Sequence, residues 1–192
     1  MSEKTDLEKA LNGVAKIKEE FLDNRMVFLW GGVNDESAED IVNRLLFLER
    51  KEPGKEITLF INSPGGAVTS GMVIYDTMQM ISSPVSTVCM GLAASMGSLL
   101  LSGGEKGKRF VFPSGKVMIH QPLISGQIYG QASDIQIHAE QIKKTKEMGA
   151  KILSENCNQP FDKVLKDLER DYWMDADESM KYGIVDGIKK NL

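Results

Sequence analysis

Apolar positions along the chain fall into short blocks whose period switches between helix-like and strand-like. Leu7, Ala10, Leu11, Val14, Ile17, Phe21 and Leu22 recur at three- and four-residue steps, which draws one apolar stripe along a helix within residues 1–24. That stripe is either a docking face or part of the core. The run Met26 to Trp30 (MVFLW), closed by Gly31-Gly32, predicts a buried strand. Within 37–51, Ile41, Leu45 and Leu48 share a helix face, Ser37 with Asp40 offers a capping box, and Pro53-Gly54 stops the helix. Ile57 to Asn62 (ITLFIN) is apolar in both alternating phases, the pattern of a strand covered by helices on both sides.

The same unit then repeats. Ser63-Pro64-Gly65-Gly66 turns into a helix over about 67–81, Ser82-Ser83-Pro84 breaks it, Val85 to Met90 is the next strand, and Gly91 opens a turn. The small-residue segment Gly91 to Ser98 leads into a helix stopped at Gly103-Gly104. Two short strands follow at 109–112 and 116–119, joined by Pro113-Ser114-Gly115, and a polar stretch at 121–130 precedes the longest helix, about 131–155. A short helix from Pro160 to about Arg170 comes next. The tail gives a strand at Tyr172, a short helix with Gly183 past its end, and a last strand at Ile184-Val185. Repeated strand–turn–helix units of this length predict an α/β fold around a mostly parallel sheet.

Composition removes several function classes. At 192 residues and 42% hydrophobic, the chain has the matter for one well-packed domain. A net charge of −4 without a basic block argues against a nucleic-acid partner. No apolar run reaches the roughly 18–20 residues of a membrane helix, and the first twenty residues are Lys/Glu-rich rather than basic-then-apolar, which predicts a cytoplasmic protein with no membrane contact. The two histidines, His120 and His138, and the two cysteines, Cys89 and Cys157, lie too far apart for a zinc cluster, so no metal is expected.

The 18 glycines concentrate between Gly31 and Gly130 and mark backbone that turns tightly or approaches something closely. In α/β folds the site gathers where strands end and helices begin. Two such loops stand out, Ser63-Pro64-Gly65-Gly66 and Gly91 to Gly97. Both put backbone N–H groups at a helix start, and no Gly-Lys-Ser/Thr follows to make a phosphate loop. A serine at a helix start with glycine N–H groups beside it suits acyl transfer, with Ser95 as nucleophile. The base must then be His120, at a strand end before Pro122, or His138 in mid-helix, where a helix-face role is the simpler reading. Asp134, Asp171, Asp175 and Asp186 all follow His120, and spacing does not choose among them as the third member.

The segments Asn62-Ser63-Pro64-Gly65-Gly66, Gly91-Leu92-Ala93-Ala94-Ser95-Met96-Gly97-Ser98, Met118-Ile119-His120-Gln121-Pro122 and Glu169-Arg170-Asp171 resemble, in order, the proteolytic subunit of the Clp protease (the ClpP family). The resemblance implies an ATP-dependent Clp-type serine endopeptidase with Ser95 as nucleophile, His120 as general base and acid, and Asp171 as orienting carboxylate. It implies an oxyanion hole from the N–H groups of Gly66 and Met96, and a clasp on the substrate backbone by Gly65, Gly66, Pro122 and Leu123. The implied fold is a crotonase-like α/β spiral of repeated β-β-α units, covering 25–192, with a projecting handle within 121–155. Implied partners are further copies, in heptameric rings stacked as a tetradecamer through contacts that include Arg170 and Gln127, or a ClpP paralogue. A hexameric AAA+ Clp ATPase would feed unfolded polypeptides inward, so this chain itself needs no cofactor.

Two segments depart from the family pattern. Residues 1–24 form a charged amphipathic helix, on the pore or docking side, where the family has a short apolar loop, and Ile124 to Gly130 is about two residues longer than usual. Two rival readings follow. One is a partner subunit of a mixed barrel with low activity alone; the other is a crotonase-like acyl-CoA enzyme, which shares the fold and a backbone oxyanion hole without needing the triad.

Overall fold

The doubly apolar run at 57–62 becomes an interior strand because both its faces are covered. The computed structural model describes residues 6–123, 126 and 130–191, with side chains from Gly13 onward. Its elements run α1 (Asp6–Asp23), β1 (Met26–Trp30), α2 (Asp35–Lys51), β2 (Ile57–Ser63), α3 (Val68–Met80), β3 (Val85–Ala94) and α4 (Met96–Ser102). They continue through β4 (Arg109–Val111), β5 (Lys116–Ile119), α5 (Ala132–Cys157), α6 (Phe161–Asp167), β6 (Tyr172–Met174), α7 (Ala176–Tyr182) and β7 (Gly187–Ile188).

The strands β1-β2-β3-β4-β7 form a parallel series, and β3 is long enough to serve two further partners in turn. Its first half, Thr87 to Cys89, pairs with β4, whereas its second half, Leu92 to Ala94, pairs with β5. β6 then joins β5 antiparallel. This is the mixed α/β spiral that the sequence predicts. Ile41, Leu45 and Leu48 of α2, Leu59 and Ile61 of β2 and Ile74 of α3 are almost fully buried in one core.

Four local expectations are corrected. Gly91 to Ala94 is the second half of β3 rather than a turn, because its amides and carbonyls are taken up by β5 and by Asn62. β1 is an edge strand with Trp30 64% exposed, so its apolar run is buried on one face only. The cap of α2 is Asn34, which accepts from the Ser37 N–H while Ser37 Oγ accepts from the Asn34 N–H, three residues before the expected box of Ser37 with Asp40. Ile184 and Val185 are buried, but the last strand forms at Gly187–Ile188, beyond the αL cap of α7 at Gly183.

Helix α5 behaves as the expected projection. From Ala132 to Gln141 every residue is exposed, and burial begins only near its end, at Ala150, Leu153 and Cys157. The α1 stripe divides: Val14 and Ile17 are more than half exposed, whereas Phe21 lies against Phe28 and Leu22 packs against the core.

Candidate active site

Two strand registers assemble the site. In the β3–β5 pairing Ala94 lies beside Met118, so the next residue, Ser95, leaves the sheet one step from His120 and donates its N–H to the Met118 carbonyl at 2.9 Å. In the antiparallel β5–β6 pairing Val117 faces Met174, Met118 faces Trp173 and Ile119 faces Tyr172. Continuing that register by one residue sets His120 opposite Asp171, and His120 Nδ1 lies 3.0 Å from Asp171 Oδ1. A carboxylate only accepts, so the neutral ring donates Nδ1–H to it and leaves Nε2 bare.

Ser95 sits with φ 54° and ψ −121° between the last residue of β3 and the first of α4. A non-glycine residue held there costs about 1–3 kcal/mol, and such strain gathers at functional positions. The turn has no intervening loop, and the Ser95 side chain makes no capping hydrogen bond, so the hydroxyl stays outside the helix's own bonding. The Ser95 carbonyl instead accepts from Ser98 and Leu99, which closes the first turn of α4.

The glycine loop is pressed against that junction. A Cβ on Gly65 would lie 2.7 Å from Ser95 Cβ and 2.9 Å from the Met96 nitrogen. Gly65 has φ +90° and Gly66 φ +152°, both in the region that favours glycine. On its other side the loop pairs with Val33: the Val33 N–H donates to the Gly65 carbonyl, and the Ala67 N–H donates to the Val33 carbonyl. In a parallel bridge of this kind the Gly66 N–H points away from Val33. The Met96 N–H is one of the first donors of α4, which have no partner within the helix. Val33 was invisible in the sequence because its contribution is entirely backbone. Ser70 Oγ donates to Asp35 Oδ1 at 2.5 Å and ties the first turn of α3 to that of α2, a pairing with no local motif.

Ser95 and His120 open onto one pocket with Met96, Leu99, Ile119, Pro122, Gly149 and Leu153 among its walls. Past His120 the chain is held to the end of α6: the Gln121 N–H donates to the Leu168 carbonyl at 2.7 Å, and its side-chain amide to the Glu169 carbonyl at 3.0 Å. Leu123 beyond it is 66% exposed.

The remaining candidates separate cleanly. Asp175 caps α7, accepting from the Glu178 N–H, and Asp186 is paired with Arg109 at 2.6 Å, which leaves Asp171 beside His120. Asp134 stands exposed in the first turn of α5, and His138 is exposed on the same projecting half, away from the pocket. Arg170 is exposed beside Asp171, whereas Gln127 lies outside the described residues. Cys89 and Cys157 are buried, and burial pushes their thiols up to about 11 and about 12, so neither offers a thiolate near pH 7. Among the described residues no group of three or more His, Cys, Asp and Glu could hold a metal ion, and no helix is long and apolar enough to cross a membrane.

The protein-family model described as Clp protease matches residues 9–191, from within α1 to beyond β7.

Proposed function

The chain belongs to the Clp protease family and is a peptidase, and from that premise we propose that it is a serine endopeptidase acting through Ser95, His120 and Asp171. The observation that carries the reading is the contact between His120 and Asp171 beside a strained, uncapped serine at a strand–helix junction.

In this reading Ser95 Oγ attacks the scissile carbonyl while its proton passes to His120 Nε2. Asp171 keeps the ring in the Nδ1–H tautomer and stabilises the imidazolium that forms. The N–H groups of Gly66 and Met96 receive the oxyanion, being adjacent donors not spent on the bridge or the helix. Collapse of the tetrahedral species breaks the C–N bond, and the amine leaves with the proton from His120. Water then repeats the sequence on the acyl-Ser95 ester and frees the new carboxylate. The extended chain of the substrate lies between Gly65-Gly66 and Pro122-Leu123, held mostly through its backbone, a mode tolerant of sequence.

The family also supports a chambered assembly of rings joined through α5, with Arg170 and the 121–130 segment at the contact, and a partner ATPase that unfolds substrates in the cytoplasm. The peptidase domain of the proposal is 25–192, with residues 1–24 as a docking or pore-side helix, and it uses no cofactor of its own. The exposed stripe of Val14 and Ile17 supports assembly with further copies or a paralogue. The acyl-CoA alternative loses its ground, since the family is one of proteases.

A fluorophosphonate should label Ser95, and Ser95→Ala should remove peptide cleavage by several powers of ten. Intact turnover in Ser95→Ala would sink the proposal. Native mass spectrometry of the protein expressed alone, alongside the peptide assay, separates a self-sufficient barrel from one that needs a second subunit.

A further inference from the structure

Asp171 is 58% exposed, too open for packing to fix its direction, so its aim depends on what holds the backbone on either side of it. Upstream, Gln121 binds the Leu168 and Glu169 carbonyls. Downstream, Tyr172 begins β6, and adjacent residues of a strand point to opposite faces. A clamp on the Tyr172 ring therefore fixes the roll of the backbone that turns Asp171 toward His120.

α6 and α7 supply such a clamp. Lys163 of α6 pairs with Asp167 one turn on, and its ammonium stands 4.5 Å from the centroid of the Tyr182 ring and 5.9 Å from that of Tyr172. The two rings lie 5.7 Å apart and are tilted by 46°, within the range of favourable aromatic pairs. Tyr182 Oη donates to the same Asp167 carboxylate at 3.0 Å. Burial, with Asp167 beside it, pushes that phenol far above its usual range, so it stays a donor at any pH used to assay an enzyme. One cation thus ties a carboxylate to both rings, and Tyr172 is the member whose backbone continues into Asp171.

We infer that Lys163 is a positioning residue for the proposed triad: through the Tyr172 ring it fixes the direction in which Asp171 meets His120. The inference rests on the Ser95, His120 and Asp171 reading. Lys163 touches neither substrate nor His120, and its own side chain is 44% exposed, so replacing it opens no cavity in the core. What its loss releases is the roll of β6 at its first residue. The carboxylate then spends less time on the Nδ1–H of His120, which slows the chemical step and leaves substrate binding alone.

The test is steady-state peptide hydrolysis by the full-length assembled protein, at a temperature where melts show every variant folded. The variants are Lys163→Met, Lys163→Arg, Asp171→Asn, and Lys163→Met combined with Asp171→Asn. Methionine keeps the apolar stem without the charge, so Lys163→Met should lower kcat about three- to tenfold with KM unchanged. Lys163→Arg keeps a cation that stacks on aromatic faces and should recover most of the loss. In the Asp171→Asn background Lys163→Met should cost nothing further, because it acts only through the carboxylate. A merely structural role would give the same fold-loss in both backgrounds. Wild-type kcat in Lys163→Met, or an equal loss with and without Asp171, overturns the inference. If Lys163→Met does not stay assembled, Tyr172→Leu removes the ring at the other end of the clamp and is read by the same cycle. Failure of the fluorophosphonate to label Ser95 in wild type overturns instead the peptidase mechanism beneath it, so the two failures are told apart.

Discussion

Gly65→Ala tests whether the glycine loop is seated on the strand–helix junction as tightly as its contacts imply. The new Cβ would lie 2.7 Å from the Ala94 carbonyl oxygen and 2.7 Å from Ser95 Cβ. Carbon atoms attract best at about 3.5–4.0 Å, so the loop must retreat by roughly 1 Å. The positive φ adds about 1–2 kcal/mol for a residue with a Cβ, and overpacking about 1–3 kcal/mol. A stability loss of roughly 2–5 kcal/mol is therefore expected. The retreat also carries the Gly66 N–H away from the position proposed for the oxyanion. A misplacement of that size, or loss of one oxyanion donor, reduces kcat about 10²- to 10³-fold. Gly54→Ala is the matched control: φ is +76° there, but nothing lies within 4 Å of the built Cβ. It carries the backbone strain without the clash, so it should cost about 1–2 kcal/mol and leave turnover alone. Thermal melts first fix a temperature at which both variants are folded, and steady-state peptide hydrolysis is measured there. Wild-type kcat in folded Gly65→Ala, or equal losses in the two variants, would refute the reasoning.

Asp171→Asn should reduce kcat/KM about 10- to 100-fold, the value of a charge-assisted hydrogen bond discounted because Asp171 is 58% exposed. His120→Ala should remove turnover under the proposed mechanism while His138→Ala keeps wild-type kinetics, and equal losses in the two variants would detach His120 from catalysis. Burial disfavours ionised Asp186, but the hydrogen bonds and charge of Arg109 outweigh it and hold the carboxyl below its usual range. Its stabilisation is therefore complete above the ordinary carboxylate pKa of about 4 and is lost as pH falls through the depressed folded value. Asp186→Asn leaves a nearly buried guanidinium and should cost about 3 kcal/mol near neutral pH, with the gap to wild type closing in acid-titrated melts below about pH 4. Cys89 and Cys157, with thiols pushed up to about 11 and about 12, should react with a disulfide reagent only on unfolding; stoichiometric modification of the native protein at pH 7 would contradict that.

What the chain disclosed in advance was periodic or punctuated. Ile57 to Asn62 announced an interior strand, and Gly183 the end of α7, because burial on two faces and an αL cap each leave a local mark. The segment Gly91 to Ala94 hid because small residues carry turn signals whether or not a neighbouring strand takes up their backbone, and only β5, over twenty residues later, makes them a strand. The choice among four aspartates was equally illegible in spacing. It depends on the β5–β6 register, a pairing about fifty residues apart, and on Asp175 and Asp186 being engaged elsewhere. Val33 left no signal at all, since any residue's backbone could form that bridge.

The strain at Ser95 persists because the fold leaves it nowhere to relax. Its N–H is fixed to β5, its carbonyl is fixed by Ser98 and Leu99, and Gly65 blocks the space beside its Cβ. Every residue of α4 is buried, and Leu100 and Leu101 are fully so. Burying a leucine side chain is worth about 1.5–3 kcal/mol, so these two alone offset the 1–3 kcal/mol of an unfavourable φ/ψ pair. Relaxing the serine would rotate α4 against the core and forfeit more than it released. The helix behind Ser95 thus fixes the hydroxyl's direction, while His120 follows β5, which pairs parallel with β3 and antiparallel with β6, and is anchored by Asp171 and by Gln121 on the end of α6. Ser95, the proposed nucleophile, is held because the helix that follows it is built into the core. His120, the proposed base, ends a strand whose Val117 and Ile119 are fully buried and whose Met118 carbonyl accepts from the Ser95 N–H, so the β3–β5 register holds both side chains on one sheet.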